Sequence, residues 1–338
     1  NGLATFSALS VNLAGSKQLS ATSGALPSAT STSFTVSAAT AAALSFQVQP
    51  SNAVAGVAIV PAVQVKVVDT FGNGVSGSSV ALALVGTGTL SGATPVATDV
   101  NGLATFSALS VNLAGSKQLN ATSGALAAVT SDTFTISPSG TAATLSFQVQ
   151  PSNVVAGVAI APAVQVKVAD TFGNGVAGST VALALVGTGT LTGAAPVVSD
   201  VNGLATFSTL SVDLVGSKQL SATSGALPSA TSTSFTVSAA AAATLSFQVQ
   251  PSSVVAGAAI APAVQVKVAD AFGNGVAGNT VALALIGTGS LSGAAPVATD
   301  ANGLASFSTL SVNLAGAKQL SATSGALPSA TSTSFTVS

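Results

Sequence analysis

The stretch that decides the fold runs from Leu44 to Val75, LSFQVQPSNAVAGVAIVPAVQVKVVDTFGNGV. In its first part Leu44, Phe46 and Val48 alternate with Ser45, Gln47 and Gln49, and beyond Pro61 the residues Val63, Val65 and Val67 alternate with Gln64 and Lys66. A period of two places every second side chain on one face, so each run reads as a strand with one apolar side. Asp69-Thr-Phe-Gly-Asn-Gly closes the second run with turn chemistry, Asp accepting local N–H bonds and Gly supplying positive φ. Two alternating runs with no 3.6-residue period argue an all-β domain.

Downstream the same pattern supplies the remaining strands. With the first two runs as A and B, Val80, Leu82 and Leu84 mark C, VATD from Val96 a short D, and Leu103 to Val111 E. Lys117 to Thr122 and Thr133 to Ser137 supply F and G. Seven short strands punctuated by Gly- and Pro-containing turns fit an immunoglobulin-like β-sandwich better than a barrel.

The unit is repeated. NGLATF at Asn1 recurs at Asn101 and Asn202, and as NGLASF at Asn302, a period of about 100 residues. Residues 1–37 match 202–238 except at Ala8/Thr209, Asn12/Asp213 and Ala14/Val215, which points to recent duplication. The period is too long for a solenoid coil that borrows its core from neighbours and suits independently folded domains. The expected division is the C-terminal part (strands E to G) of a truncated repeat at 1–37, then complete tandem repeats at 38–137, 138–238 and 239–338, as beads on a string. Short Ala/Ser/Thr linkers between them predict a semi-rigid rod. A chain that opens on Asn1 and holds no Met reads as an internal or processed piece of a longer protein.

Composition narrows the function. The 338 residues include no Cys, His, Met, Trp, Tyr, Arg or Glu, so most of the side chains used in acid-base and nucleophilic chemistry are missing and an enzyme is not expected. Seven Lys and eight Asp, interspersed, leave a net charge of −1 and no basic stripe for phosphates, so no nucleic-acid partner is expected. Mean hydropathy is +0.71. Apolar runs such as Val154 to Val164 are nevertheless short and broken by Gly157 and Pro162, so no membrane insertion is expected in this segment.

Four stretches carry a resemblance: LSFQVQPS from Leu44, PAVQVKVVDTFGNGV from Pro61, TDVNGLATFSALSV from Thr98 and GSKQLNATSGAL from Gly115. The chain resembles the bacterial immunoglobulin-like repeats of giant surface and extracellular proteins, loosely related to invasin and intimin repeats. The diagnostic part is the ordered pair D-x-F-G-N-G then D-x-N-G-x-A. The resemblance covers essentially the whole chain and implies a sandwich fold and an extracellular, bacterial cell-surface location, without naming a ligand.

Two recurrent acidic positions need a reason. Asp69, Asp170 and Asp270 open the D-x-F-G-N-G loop, and Asp99, Asp200 and Asp300 open the D-x-N-G turn that contains Asn101, Asn202 and Asn302. The plain reading is that each Asp caps its own turn. The sharper one is a weak calcium site. Antiparallel B and E would bring the B–C and D–E loops, and with them Asp69, Asp99 and Asn101, to the end that receives the linker from the preceding repeat. Calcium wants six to eight oxygens, and this set supplies few. No other cofactor is expected.

The other polar and aromatic positions read as structural. Lys66, Lys167 and Lys267 lie on the Gln-bearing face of B, and Lys117 with its equivalents begins F, all read as pointing to solvent. Phe34, Phe46, Phe71 and Phe106 read as core or loop packing. Asn120-Ala-Thr122, the only glycosylation sequon, has Ser at the equivalent positions and reads as incidental. The outer faces, Ala81, Ala83 and Val85 on C and Ser131, Thr133 and Thr135 on G, are uncharged, and the strand edges read as unguarded. The expected function is therefore a structural repeat region of an extracellular filament or surface-adhesin shaft. It would act as a spacer or associate with copies of itself, end to end or laterally, and with other surface or matrix components. The alternative is a module that binds a glycan or host protein directly. Near-identical loops without aromatic or charged tips favour the shaft.

Overall fold

The structure, a computed structural model, describes residues 1–338, and every regular element in it is a β-strand. It contains two compact units, Asn1–Ala143 with Ala169–Val176, and Thr144–Val168 with Ala177–Ser338.

In the first unit, residues 1–37 form only short pairings. Strand β1 (Gly15–Lys17) pairs with β4 (Phe34–Val36), and β2 (Ser20–Ala21) with β3 (Ala29–Thr30), all antiparallel. Their apolar side chains are uncovered: Phe6 is 70% exposed, whereas Phe106 at the same repeat position is 2% exposed. The difference is the missing opposite sheet.

That sheet is present in the next repeat. Strands β5 (Ala43–Val48, A) and β7 (Val63–Val68, B) and the first half of E, β11 (Leu103–Phe106), form one sheet in the order β11-β7-β5. The facing sheet runs β10-β8-β13-β15-β6, made of β10 (Val96–Ala97, D), β8 (Ser79–Val85, C), β13 (Gly115–Thr122, F), β15 (Phe134–Ser137, G) and β6 (Ala53–Val54). D therefore pairs with C, with Val96 opposite Val80. The inward residues Val63, Val65, Val67, Val80, Phe106, Leu119, Phe134 and Ile136 of the two sheets make one buried core. Their burial follows the period of two read from the sequence.

Two strands are interrupted where the sequence suggested continuous runs. E breaks after Phe106 and resumes as β12 (Ser110–Val111), which pairs with β9 (Leu90–Ser91). Phe106, Leu109 and Val111 are all buried, and the three-residue step from 106 to 109 cannot be met by an unbroken strand. G is likewise split. Val129–Thr130 (β14) and β15 both pair with β13, and Ser131 lies between them. Ser131 is only 3% exposed, which corrects its outward reading: its Oγ accepts from Leu119 N and donates to Asp132 O, both at 2.8 Å. The outer edge of G is also guarded, by β6 in parallel pairing and by Gln49 and Asn52 side chains accepting from Asp132 N and Thr135 N.

In the second unit the two-sheet pattern occurs twice. Thr144–Val149, Val164–Ala169 and Leu204–Phe207 form one three-stranded sheet, and Thr244–Val249, Val264–Ala269 and Leu304–Phe307 the other. Each faces a sheet built on its own C–F pair, Thr180–Val186 with Gly216–Thr223, and Thr280–Ile286 with Gly316–Thr323. The later repeat has its own buried cluster around Val264, Val266, Phe307, Leu320 and Phe335.

Candidate functional site: the joint between repeats

The D-x-F-G-N-G loop is held together by its aspartate. Asp69 Oδ1 accepts from Phe71 N and Asn73 N, both at 2.9 Å, and Oδ2 accepts from Asn73 Nδ2 at 2.8 Å. A fourth donor comes from the linker: Ala39 N at 2.9 Å to the same Oδ2. Burial alone would push this carboxyl up. The Asn73 amide and the N–H groups of Ala39, Asn73 and Phe71 outweigh it and hold Asp69 at about 2. Asp170 and Asp270 are lowered by the same contest, with linker donors Ser139 N and Ala240 N.

The asparagine reaches the other way, into the preceding repeat. Asn73 Nδ2 donates to Asn12 O and its Oδ1 accepts from Ala14 N, both at 2.8 Å. Asn174 makes the same pair with Asn112 O (2.9 Å) and Ala114 N (2.8 Å). So does Asn274 with Asp213 O (2.8 Å) and Val215 N (3.0 Å). Every partner is backbone, so the clamp is indifferent to the change from Asn to Asp and Ala to Val at those positions. The amide suits this task because it offers one donor and one acceptor side by side.

The phenylalanine supplies the apolar part. An ideal Cβ on Gly56 would lie 2.4 Å from Phe172 Cζ, and one on Gly157 would lie 2.3 Å from Phe272 Cζ, so only glycine admits the ring there. Gly56 N donates to Val111 O at 2.9 Å and Gly157 N to Val212 O at 2.9 Å, which ties the glycine turn to the backbone the asparagine grips. Glycine turn and E–F loop thus form one socket, and Phe with Asn forms the plug. Phe172 and Phe272 are accordingly neither core nor local packing; they lie against the glycine turn of the neighbouring repeat.

A buried lysine braces the socket. Lys117, Lys218 and Lys318 are 2–3% exposed, which corrects their reading as solvent-facing. Lys117 shares the parity of Leu119 and Ala121, which face the core. Its stem runs along the interior, and Nζ donates to Thr87 Oγ1 at 3.1 Å and to Ala114 O at 3.3 Å, at the end of the sandwich. The carbonyl it holds belongs to the residue whose N–H meets Asn174. Lys66 is half-exposed, as the sequence suggested.

The second acidic turn is self-contained. Asp99 Oδ1 accepts from Asn101 N (2.8 Å) and Leu103 N (2.9 Å), and the Leu103 bond is the leading reason its carboxyl is lowered. Asp200 and Asp300 make the same bonds to Asn202 and Leu204, and to Asn302 and Leu304. The two loops do meet, but through backbone: an ideal Cβ on Gly74 would lie 2.1 Å from Asn101 O, and Gly102 O accepts from Val67 N at 2.8 Å. A cation on Asp69 would have to displace N–H donors from both of its oxygens. No three His, Cys, Asp or Glu stand together anywhere in the chain.

Sequence reasoning singled out the Asp of this motif and missed the roles of its Asn and Phe. The available signal was the joint recurrence of D-x-F-G-N-G with a glycine in the A–B connection, at Gly56, Gly157 and Gly257.

No protein-family model and no curated protein matches the chain. Among solved structures it is similar to FdeC, an Escherichia coli adhesin, at 20% identity over 90% of this chain and 100% of that one, with a TM-score of 0.40. It is similar to invasin, a bacterial integrin-binding protein, at 17% identity over 88% of this chain and 60% of that one, with a TM-score of 0.41. InvD of Yersinia pseudotuberculosis aligns at 13% identity over 85% of this chain and 95% of that one, with a TM-score of 0.40. The sandwich assignment rests on the strand order and register described above.

Proposed function

We propose that the chain is a structural, non-enzymatic repeat segment of an extracellular bacterial filament or surface-adhesin shaft, in which 38–137, 138–238 and 239–338 fold as separate domains and act as spacers. The observation that carries this reading is the joint. The same asparagine clamp and linker bond recur at three loops and the phenylalanine–glycine contact at two, and the Asp and Asn of the motif are taken up by these bonds. The sparsely charged composition and the resemblance to bacterial surface repeats support the location. Residues 1–37 are the C-terminal part of a further repeat.

Stretching single molecules of the full chain tests both parts. Three nearly equal unfolding steps are expected, one per complete repeat. Phe272→Ala with Asn274→Ala should leave the number and length of the steps unchanged and make the chain more compliant below the unfolding force. A single cooperative rupture, or a double variant with unaltered compliance, would overturn the reading.

A further inference from the structure

One seam in each complete repeat joins the strand by which the chain enters to the strand by which it leaves. In 138–238 the chain enters along Thr144–Val149, which pairs with Val164–Ala169 in one sheet. It then crosses to the facing sheet, where Val154–Val155 runs parallel to the last strand, Phe235–Ser238, with Val154 opposite Val237 and Val155 opposite Ser238. Three bonds fasten the crossing. Gln150 Oε1 accepts from Thr233 N at 2.9 Å, Asn153 Oδ1 accepts from Thr236 N at 2.7 Å, and Ala156 N donates to Ser238 O at 2.8 Å. The seam of 38–137 is built alike, from Gln49, Asn52 and the bond of Ala55 N to Ser137 O, and Gln250 and Ser253 take the same places beside Thr333 N and Thr336 N.

Direction decides what this seam does under load. Pulling on the two ends of a repeat drags Val154–Val155 toward its N-terminal side and Phe235–Ser238 toward its C-terminal side. Because the two segments are parallel, they are driven past each other in opposite senses, and the evenly spaced bonds between them are strained together rather than opened one after another. The strand Thr180–Val186 lies elsewhere in the same sheet, between Gly216–Thr223 and Val197–Val198, and neither pair includes the entering strand or the leaving one.

We propose that this seam sets the force at which a repeat gives way, with Gln150 and Asn153 as its side-chain fasteners. The proposal rests on the shaft reading, under which each repeat is held in tension. It gives the two exposed amides a task beyond closing a sheet edge: they turn the outward N–H groups of the leaving strand into tie points for the entering one.

Stretching the full chain at constant force tests this, with the dwell time before each step as the readout, since forced unfolding follows the unfolding rate. Gln150→Ala with Asn153→Ala removes both fasteners and should shorten the dwell of one step in three about tenfold, the effect of losing two hydrogen bonds of ordinary net strength. Gln150→Glu with Asn153→Asp keeps an acceptor oxygen at both places and should retain the parent dwell. Leu183→Ala truncates a buried core side chain away from the seam. It should lower the denaturant midpoint more than the double alanine variant does, yet shorten the dwell less. Dwell times that rank with the denaturant midpoints, or a double alanine variant that dwells as long as the parent, would overturn the proposal, and three steps in those traces would leave the shaft reading standing. One rupture of the whole chain would overturn both.

Discussion

At the residue scale, each loop of the joint and its linker are held by hydrogen bonds to an aspartate whose pKa is lowered, and this gives the fold a pH dependence of known sign. Asp69 is held at about 2, below its ordinary 3.8, and Asp170 and Asp270 are lowered for the same reasons. Between those values the unfolded chain binds protons that the folded chain refuses, so stability rises with pH there. The contribution is complete above about pH 4 and is lost as pH falls toward 2. Melting temperature should therefore drop over that interval, and Asp270→Asn should flatten the drop while lowering the plateau. A second test uses charge directly. Asn274→Ala removes the bridge to Asp213 O and Val215 N and should cost about 1–3 kcal/mol by denaturant unfolding, as loss of buried pairing does. Asn274→Asp should cost more, because it sets a second carboxylate beside Asp270 Oδ2, where Asn274 Nδ2 now donates at 2.9 Å. The excess over Asn274→Ala should vanish in acid, and an excess that persists there would show that charge is not its cause.

At the element scale, the split G strand depends on one hydroxyl. Ser232, 3% exposed, accepts from Leu220 N and donates to Thr233 O, both at 2.8 Å. Ser232→Ala leaves a buried N–H without a partner and should cost about 1–3 kcal/mol. Faster amide exchange at Leu220 would identify the break in G as the site of the loss, and unchanged exchange would refute this account. The same element shows what sequence could and could not yield. Strands A, B, C and F were legible because Val63 to Val67 or Leu82 and Leu84 alternate without interruption. The two-residue pieces at Ala53, Leu90 and Val129 are too short to carry a period, and they exist only because partner strands hold them. Lys117 was misread although its parity with Leu119 was available, because its charge spoke for solvent and its long stem lets it satisfy both. The Asp turns were legible as local chemistry. The asparagine clamp was not, since its partners stand about 60 residues away in another repeat and are backbone atoms with no sequence signature.

At the scale of the whole molecule, what remains uncovered is the outer face of each C–F pair. Ala81 stands opposite Thr122, Ala83 opposite Asn120 and Val85 opposite Gln118. The later repeats place Ala184 opposite Ser221 and Ala284 opposite Ser321 in the same register. No charge stands on any of these pairs, and Val85, Val186 and Ile286 are 41–45% exposed. Because β6, Gln49 and Asn52 close the G edge, edge-to-edge strand addition there is blocked, and lateral contact between chains would go face to face through this surface. A single such patch is small and gives weak association. Three in one chain bind together once the first has met, so the contacts multiply through effective concentration. Lateral bundling is thus expected at high concentration, and Lys at Ala83, Ala184 and Ala284 should abolish it by setting like charges against each other across each contact. Electron microscopy reads the outcome: the parent chain should give side-by-side bundles, and the triple Lys variant separate particles. Bundles that survive the three lysines would exclude the C–F face as the lateral surface.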